Sequence, residues 1–229
     1  MKTLSILKTS TLALILLSTS AFAQLQPDKA AQDKMTPESV LTELKDGNSK
    51  YTADTLTDSK LAARIQKSVE GQFPKAYVLS CVDSRVPVEN VFDQGLGDLF
   101  VGRVAGNIEN DDQLGSMEYA VAVGGVKLLV VMGHESCGAV KSACKDIKLG
   151  NASALLQKIR PAVRQISGGD KAKENTDKDF VKAVVKANVL KTVKDIRERS
   201  EVLAEAEKVG TIKIVGAYYN LGTGKVDFL

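Results

Sequence analysis

Residues 126–132 read VKLLVVM and run directly into residues 133–138, GHESCG. An apolar run of strand length, closed by a glycine, predicts a β-strand covered on both faces. Three more runs of this kind lie on either side of it. Residues 76–80 (AYVLS) follow Pro74 and lead straight into Cys81, residues 99–101 (LFV) come next, and residues 212–217 (IKIVGA) come last. The stretches between them, residues 113–123 and 139–148, carry helical periodicity. Strands alternating with helices predict an α/β fold with a mainly parallel β-sheet flanked by helices.

Outside this core the expectations are simpler. Thr36 can cap a helix that has Pro37 in its first turn and ends near residues 46–48 (DGN). Further helices are expected over residues 58–69, 152–166 and 177–209, with a polar loop at 168–176. Residues 216–229 read as a hairpin that turns at 222–224. The pair Gly95 and Gly97 lacks the third glycine and the strand-turn-helix setting of a dinucleotide site, so it reads as a turn.

The first residues have a different character. Lys2 and Lys8 precede the apolar residues 12–17, and Ala21-Phe22-Ala23 stands before Gln24, the pattern of a secretory signal. Its apolar part is shorter than the roughly 20 residues that span a bilayer. Cleavage is expected after Ala23, which leaves 206 of the 229 residues. The mature form is expected to be periplasmic or secreted, without a membrane anchor. Residues 24–35 read as a flexible polar lead with order beginning at Thr36, and residues 36–229 as a single domain. Loss of Lys2 and Lys8 takes the formal charge from +3 to +1, which gives no electrostatic case for nucleic acid or anionic membrane. A small-molecule substrate is the expected partner.

Three cysteines, Cys81, Cys137 and Cys144, form an odd set for an exported chain. One disulfide plus a buried spare thiol is one reading. Their neighbours support another. Two strand ends run into Cys81-Val82-Asp83-Ser84-Arg85 and into His134-Glu135-Ser136-Cys137-Gly138, and a parallel sheet binds ligands just beyond its strands' carboxyl ends. Zinc takes thiolate and imidazole ligands, and a catalytic site commonly has three protein ligands and an open fourth position. Cys81, His134 and Cys137 are such a set, with His134 and Cys137 spaced to share one face of a helical turn. His134 is the only histidine in the chain. Cys144, seven residues after Cys137, reads as a small buried residue.

CVDSR and GHESCG, separated by an α/β unit, resemble the two zinc-binding motifs of the β-class carbonic anhydrases. The likeness takes in GQFPKAYVLSCVDSRVP, GDLFVGRVAGN and MGHESCGAV, and runs from about Leu41 to the C-terminus. With the leader, it is similar to an exported bacterial member. The resemblance implies reversible hydration of carbon dioxide to bicarbonate and a proton by a zinc-bound hydroxide, with one Zn2+ per subunit on Cys81, His134 and Cys137. It implies that Asp83 and Arg85 form a dyad beside the metal, and that Gln72 and Gly138 contact substrate, Gln72 commonly from the neighbouring subunit. It also implies a homodimer or higher homo-oligomer, with the N-terminal helices packing on a partner subunit. Val104 departs from the asparagine common in this family's R-N-A-G-N stretch. Val78 stands where members with a bicarbonate-linked switch have tryptophan, and this chain has no tryptophan; an open site is therefore expected.

Rival readings remain at this level. The same metal chemistry could act on carbon disulfide or carbonyl sulfide. Asp83 could be a permanent fourth ligand in a non-enzymatic zinc protein, or merely a turn-stabilising partner of Arg85. A redox pair of Cys81 and Cys137 fits less well, since the two are far apart in sequence and accompanied by His134 and Asp83. A serine nucleophile at Ser84 or Ser136 lacks a free histidine as its base.

Overall fold

The computed structural model describes residues 27–169 and 177–229. The signal at residues 1–23, the first part of the lead and most of the loop expected at 168–176 lie outside the described residues. In chain order the elements are α1 (Lys29–Asp33), α2 (Pro37–Thr52), α3 (Leu61–Ser68), β1 (Ala76–Ser80), α4 (Val88–Val91), β2 (Leu99–Arg103), α5 (Asp111–Ala122), β3 (Leu128–His134), α6 (Gly138–Cys144), α7 (Ala152–Ser167), α8 (Lys178–Arg199), α9 (Glu201–Lys208), β4 (Lys213–Tyr219) and β5 (Val226–Phe228).

The five strands form one sheet in the order β2-β1-β3-β4-β5. β1 to β4 are parallel, and β5 returns antiparallel to β4 as the expected hairpin. All seven residues of β3 are buried, as the unbroken apolar run requires of a central strand. Alternate residues divide between the two faces. Tyr77, Leu79, Leu129 and Val131 pack with Leu114 and Met117 of α5 and with Val189 and Ile196 of α8. Ala76, Val78, Leu128 and Val130 pack with Val40 and Leu44 of α2 and with Phe92. Full burial of Leu44 and Val40 contributes about 1.5–3 kcal/mol each.

Strand order reverses at β1, whose two neighbours are β2 and β3. Such a switch point opens a crevice beyond the carboxyl ends of the adjacent strands. Cys81 immediately follows β1 and His134 ends β3, so the fold delivers both to that crevice.

Three elements differ from expectation. Order starts before Thr36: α1 is capped by Asp28, whose side chain accepts from the Ala31 amide, and Gln32 is buried. The Gln32 amide donates to the carbonyls of Pro74 and Gly124, both at 2.7 Å, which ties the supposed lead to the sheet. α2 runs through residues 46–48 to Thr52. Gly47 does not break it; a Cβ there would lie 1.9 Å from the Phe92 carbonyl oxygen, so glycine permits close packing. The region 177–209 is two helices, split at Ser200, whose extended backbone and side chain cap α9 by accepting from the Leu203 amide.

Candidate metal centre

Cys81, His134 and Cys137 bring their ligand atoms within 4.8 Å of one another, the only such group of metal-ligating side chains among the described residues. All three are buried. The sulfurs of Cys81 and Cys137 are 4.0 Å apart, against about 3.8 Å for two thiolates at zinc bond lengths in a tetrahedral site.

The spacing of His134 and Cys137 works differently from the helical turn expected. His134 is the last residue of β3, and Cys137 is the residue before α6. Between them Ser136 is left-handed (φ 56°), which folds the chain back on itself. β4 holds this turn: the Glu135 amide donates to the Tyr219 carbonyl at 2.8 Å, and the Leu221 amide donates to the Glu135 carboxylate at 3.1 Å.

The histidine is oriented by its own turn. Nδ1 lies 2.9 Å from the Glu135 carbonyl, which sets Nδ1 as the donor and leaves the Nε2 lone pair free. Nε2 is buried with no hydrogen-bond partner. An orphaned acceptor facing two buried sulfurs costs free energy unless something electron-deficient joins them. The donor set of two sulfurs and one imidazole nitrogen fits zinc.

The thiols behave as a pair. Cys81 is held well below the usual thiol range, first by the hydrogen bond from Cys137, against the cost of burial, with the Gly106 amide assisting. Cys137 is pushed up because its proton lies between the sulfurs and it is buried. A divalent ion held by this set would replace that shared proton and allow both to be thiolates. Cys144, which ends α6, is buried in the same apolar cluster but is not among the three converging ligand groups, and burial raises its pKa.

Asp83 stands beside the cluster, with Oδ2 3.7 Å from His134 Nε2. Arg85 grips its carboxylate through Nε at 2.9 Å, Nη2 at 2.7 Å and the backbone amide at 3.0 Å. This arginine holds the Asp83 carboxyl well below the usual carboxylate range. Gly138 opens α6, and a Cβ there would meet nothing within 4 Å. Gln72 is not brought to the cluster within one chain. It is exposed before β1, whose five residues span roughly 16 Å between it and Cys81.

Sequence reasoning missed the layer behind these residues. The Gly106 amide donates to Cys81 Sγ at 3.3 Å, and Gly106 in turn is held by Asn188 of α8, which donates to its carbonyl at 2.8 Å. Arg103, at the end of β2, reaches the carbonyls of Cys81 and Asp83. Gly106 has φ 72°, and a glycine between Ala105 and Asn107 was the available hint of a left-handed turn. A backbone donor leaves no other trace in sequence.

Residues 76–226 match the family model described as carbonic anhydrase. A carbonic anhydrase of Mycolicibacterium smegmatis is 38% identical over 190 residues, covering 80% of this chain and 89% of that one. Carbonic anhydrase 2 of Mycobacterium tuberculosis is 36% identical over 183 residues, covering 80% and 87%. Among solved structures, a Coccomyxa β-carbonic anhydrase in complex with acetazolamide superimposes with a TM-score of 0.66 at 26% identity, covering 82% of this chain and 86% of that one.

Proposed function

This chain belongs to the carbonic anhydrase family, in its β class, and from that premise we propose that zinc on Cys81, His134 and Cys137 hydrates carbon dioxide with Asp83 and Arg85 as its working dyad. The observation that carries the metal reading is the orphaned, buried Nε2 of His134 facing two buried sulfurs. When bound, zinc supplies Lewis acidity that makes water nucleophilic near neutral pH.

The protein's own groups do the rest. Two thiolates donate strongly and soften the metal's positive charge, so the reacting water needs help from its surroundings. Asp83, kept ionised by Arg85, accepts a hydrogen bond from that water and aims its lone pair at carbon dioxide. Arg85 fixes the carboxylate by a two-pronged contact, which also draws it away from ligation. Gly138 leaves space for substrate above the start of α6. Gln72, at the far end of β1, serves a neighbouring subunit's site rather than its own.

That role for Gln72 requires a homodimer or higher homo-oligomer. The N-terminal helices are the proposed contact: Leu61 and Ile65 of α3 are more than half exposed, and Val69, one turn on, is 87% exposed. Three apolar residues at four-residue spacing suit a partner surface. The leader at residues 1–23 assigns the mature chain to the periplasm or the exterior.

Asp83→Asn tests the dyad, because the amide keeps the shape and loses the carboxylate. The zinc-loaded variant is expected to hold stoichiometric metal and to hydrate carbon dioxide about 10–100-fold more slowly. Full activity at full zinc content would reduce Asp83 and Arg85 to a structural ion pair.

A further inference from the structure

The turn that presents Cys81 and Asp83 is gripped by the end of the edge strand. Residues 103–106 touch it at four points. The Val104 amide donates to the Ser80 carbonyl at 3.0 Å, and the Gly106 amide to Cys81 Sγ at 3.3 Å. The other two points both come from one side chain: Arg103 Nε donates to the Cys81 carbonyl at 2.9 Å, and its Nη2 donates to the Asp83 carbonyl.

This geometry differs from that of Arg85. Arg85 holds the Asp83 carboxylate, whereas Arg103 leaves every reacting atom alone and holds the backbone behind two of them. Nε and Nη2 lie on one edge of the planar guanidinium, so they form a rigid fork. Carbonyls two residues apart become a fixed pair when both accept from that fork. The Cys81 sulfur and the Asp83 carboxylate then keep one mutual arrangement, and the positive charge lies behind a turn that carries two anionic groups. We infer that Arg103 is a positioning residue for the metal centre, clamping the Cys81–Asp83 backbone so that ligand and dyad aspartate are presented together.

The inference rests on the proposed zinc site. It asks for more than general stabilisation: loss of the fork must loosen metal more than it loosens the metal-free fold. Arg103 is exposed at the end of β2, so its replacement leaves the core intact. Arg103→Met keeps an unbranched stem and removes every donor. Arg103→Lys keeps the charge but replaces the rigid fork with a single rotating head, and serves if the methionine variant folds poorly.

Zinc loss from the full-length mature protein to excess chelator is the first measurement, and the thiolate-to-metal absorption of the cobalt-substituted protein is the second. Arg103→Met is expected to release zinc about 10–100-fold faster than wild type, with Arg103→Lys between them. The cobalt band should shift in the methionine variant, and the zinc-loaded form should lose more melting temperature than the metal-free form. Wild-type zinc release with an unchanged cobalt band would overturn the inference alone. Equal melting losses in both forms with an unchanged band would also overturn it, leaving Arg103 a surface stabiliser. If wild type held no stoichiometric zinc, the metal reading and this inference would fall together.

Discussion

Cys81 and Cys137 present their sulfurs 4.0 Å apart, and the Cys137 hydrogen bond holds the Cys81 thiol well below its usual range. Without metal, such a pair in an oxidising compartment is one small movement from a disulfide, since the reactive form is the thiolate. Zinc bound by both sulfurs would remove them from that chemistry. Chelated protein treated with mild oxidant should therefore lose two titratable thiols and retain the buried Cys144, whereas zinc-loaded protein should retain all three cysteines as thiols. Equal losses with and without chelator would contradict metal protection. The identities of these residues were legible in the sequence, because cysteine and histidine at two strand ends have few other reasons to converge. The mechanism of convergence was not. A left-handed Ser136 between strand and helix produces the three-residue spacing that a helical turn would equally explain. The supporting donors were also hidden, since the Gly106 amide belongs to the backbone and is aimed only by the fold.

The same division holds among elements. β1, β3 and β4 were legible to within a few residues because a strand largely buried on both faces is apolar along its length, and the half-buried edge strand β2 showed through its apolar residues 99–101. α1 was not, because five residues carry too little periodicity and its buried anchor is a glutamine. Propensity also misplaced the end of α2, where Asp46-Gly47-Asn48 looks like a stop, and missed the break at Ser200. In each case a tertiary contact or a cap overrode the local pattern. Gln32 gives the direct test of α1. Gln32→Ala strands the carbonyls of Pro74 and Gly124, so unfolding in urea should show a loss of about 1–3 kcal/mol with zinc content unchanged. A midpoint equal to wild type would mean that α1 is not docked on the sheet.

Across the whole molecule, what shapes turnover is the scarcity of groups that titrate near neutrality. Each hydration releases a proton, and an internal acceptor works best with a pKa near the working pH. His134, the chain's only histidine, faces the metal position. Burial pushes Tyr218 up to about 12, and burial with the Tyr51 hydrogen bond pushes Tyr219 up as well, so both stay protonated at neutral pH and cannot accept. Asp83 is paired to Arg85 and held ionised far below neutrality, which makes it a poor proton acceptor at neutral pH. Protons should then leave to external buffer. Turnover at saturating carbon dioxide should rise with buffer concentration near pH 7, while the second-order rate at low carbon dioxide stays constant. Buffer-independent fast turnover would reveal an internal carrier. The most direct test of the central claim is a zinc titration of metal-stripped protein followed by stopped-flow hydration of carbon dioxide. Activity should rise in proportion to zinc and level off at one ion per chain, and Cys81→Ser, His134→Ala and Cys137→Ser should show neither tight uptake nor the rise. Full hydration without stoichiometric zinc, or in any one of these three variants, would contradict the account.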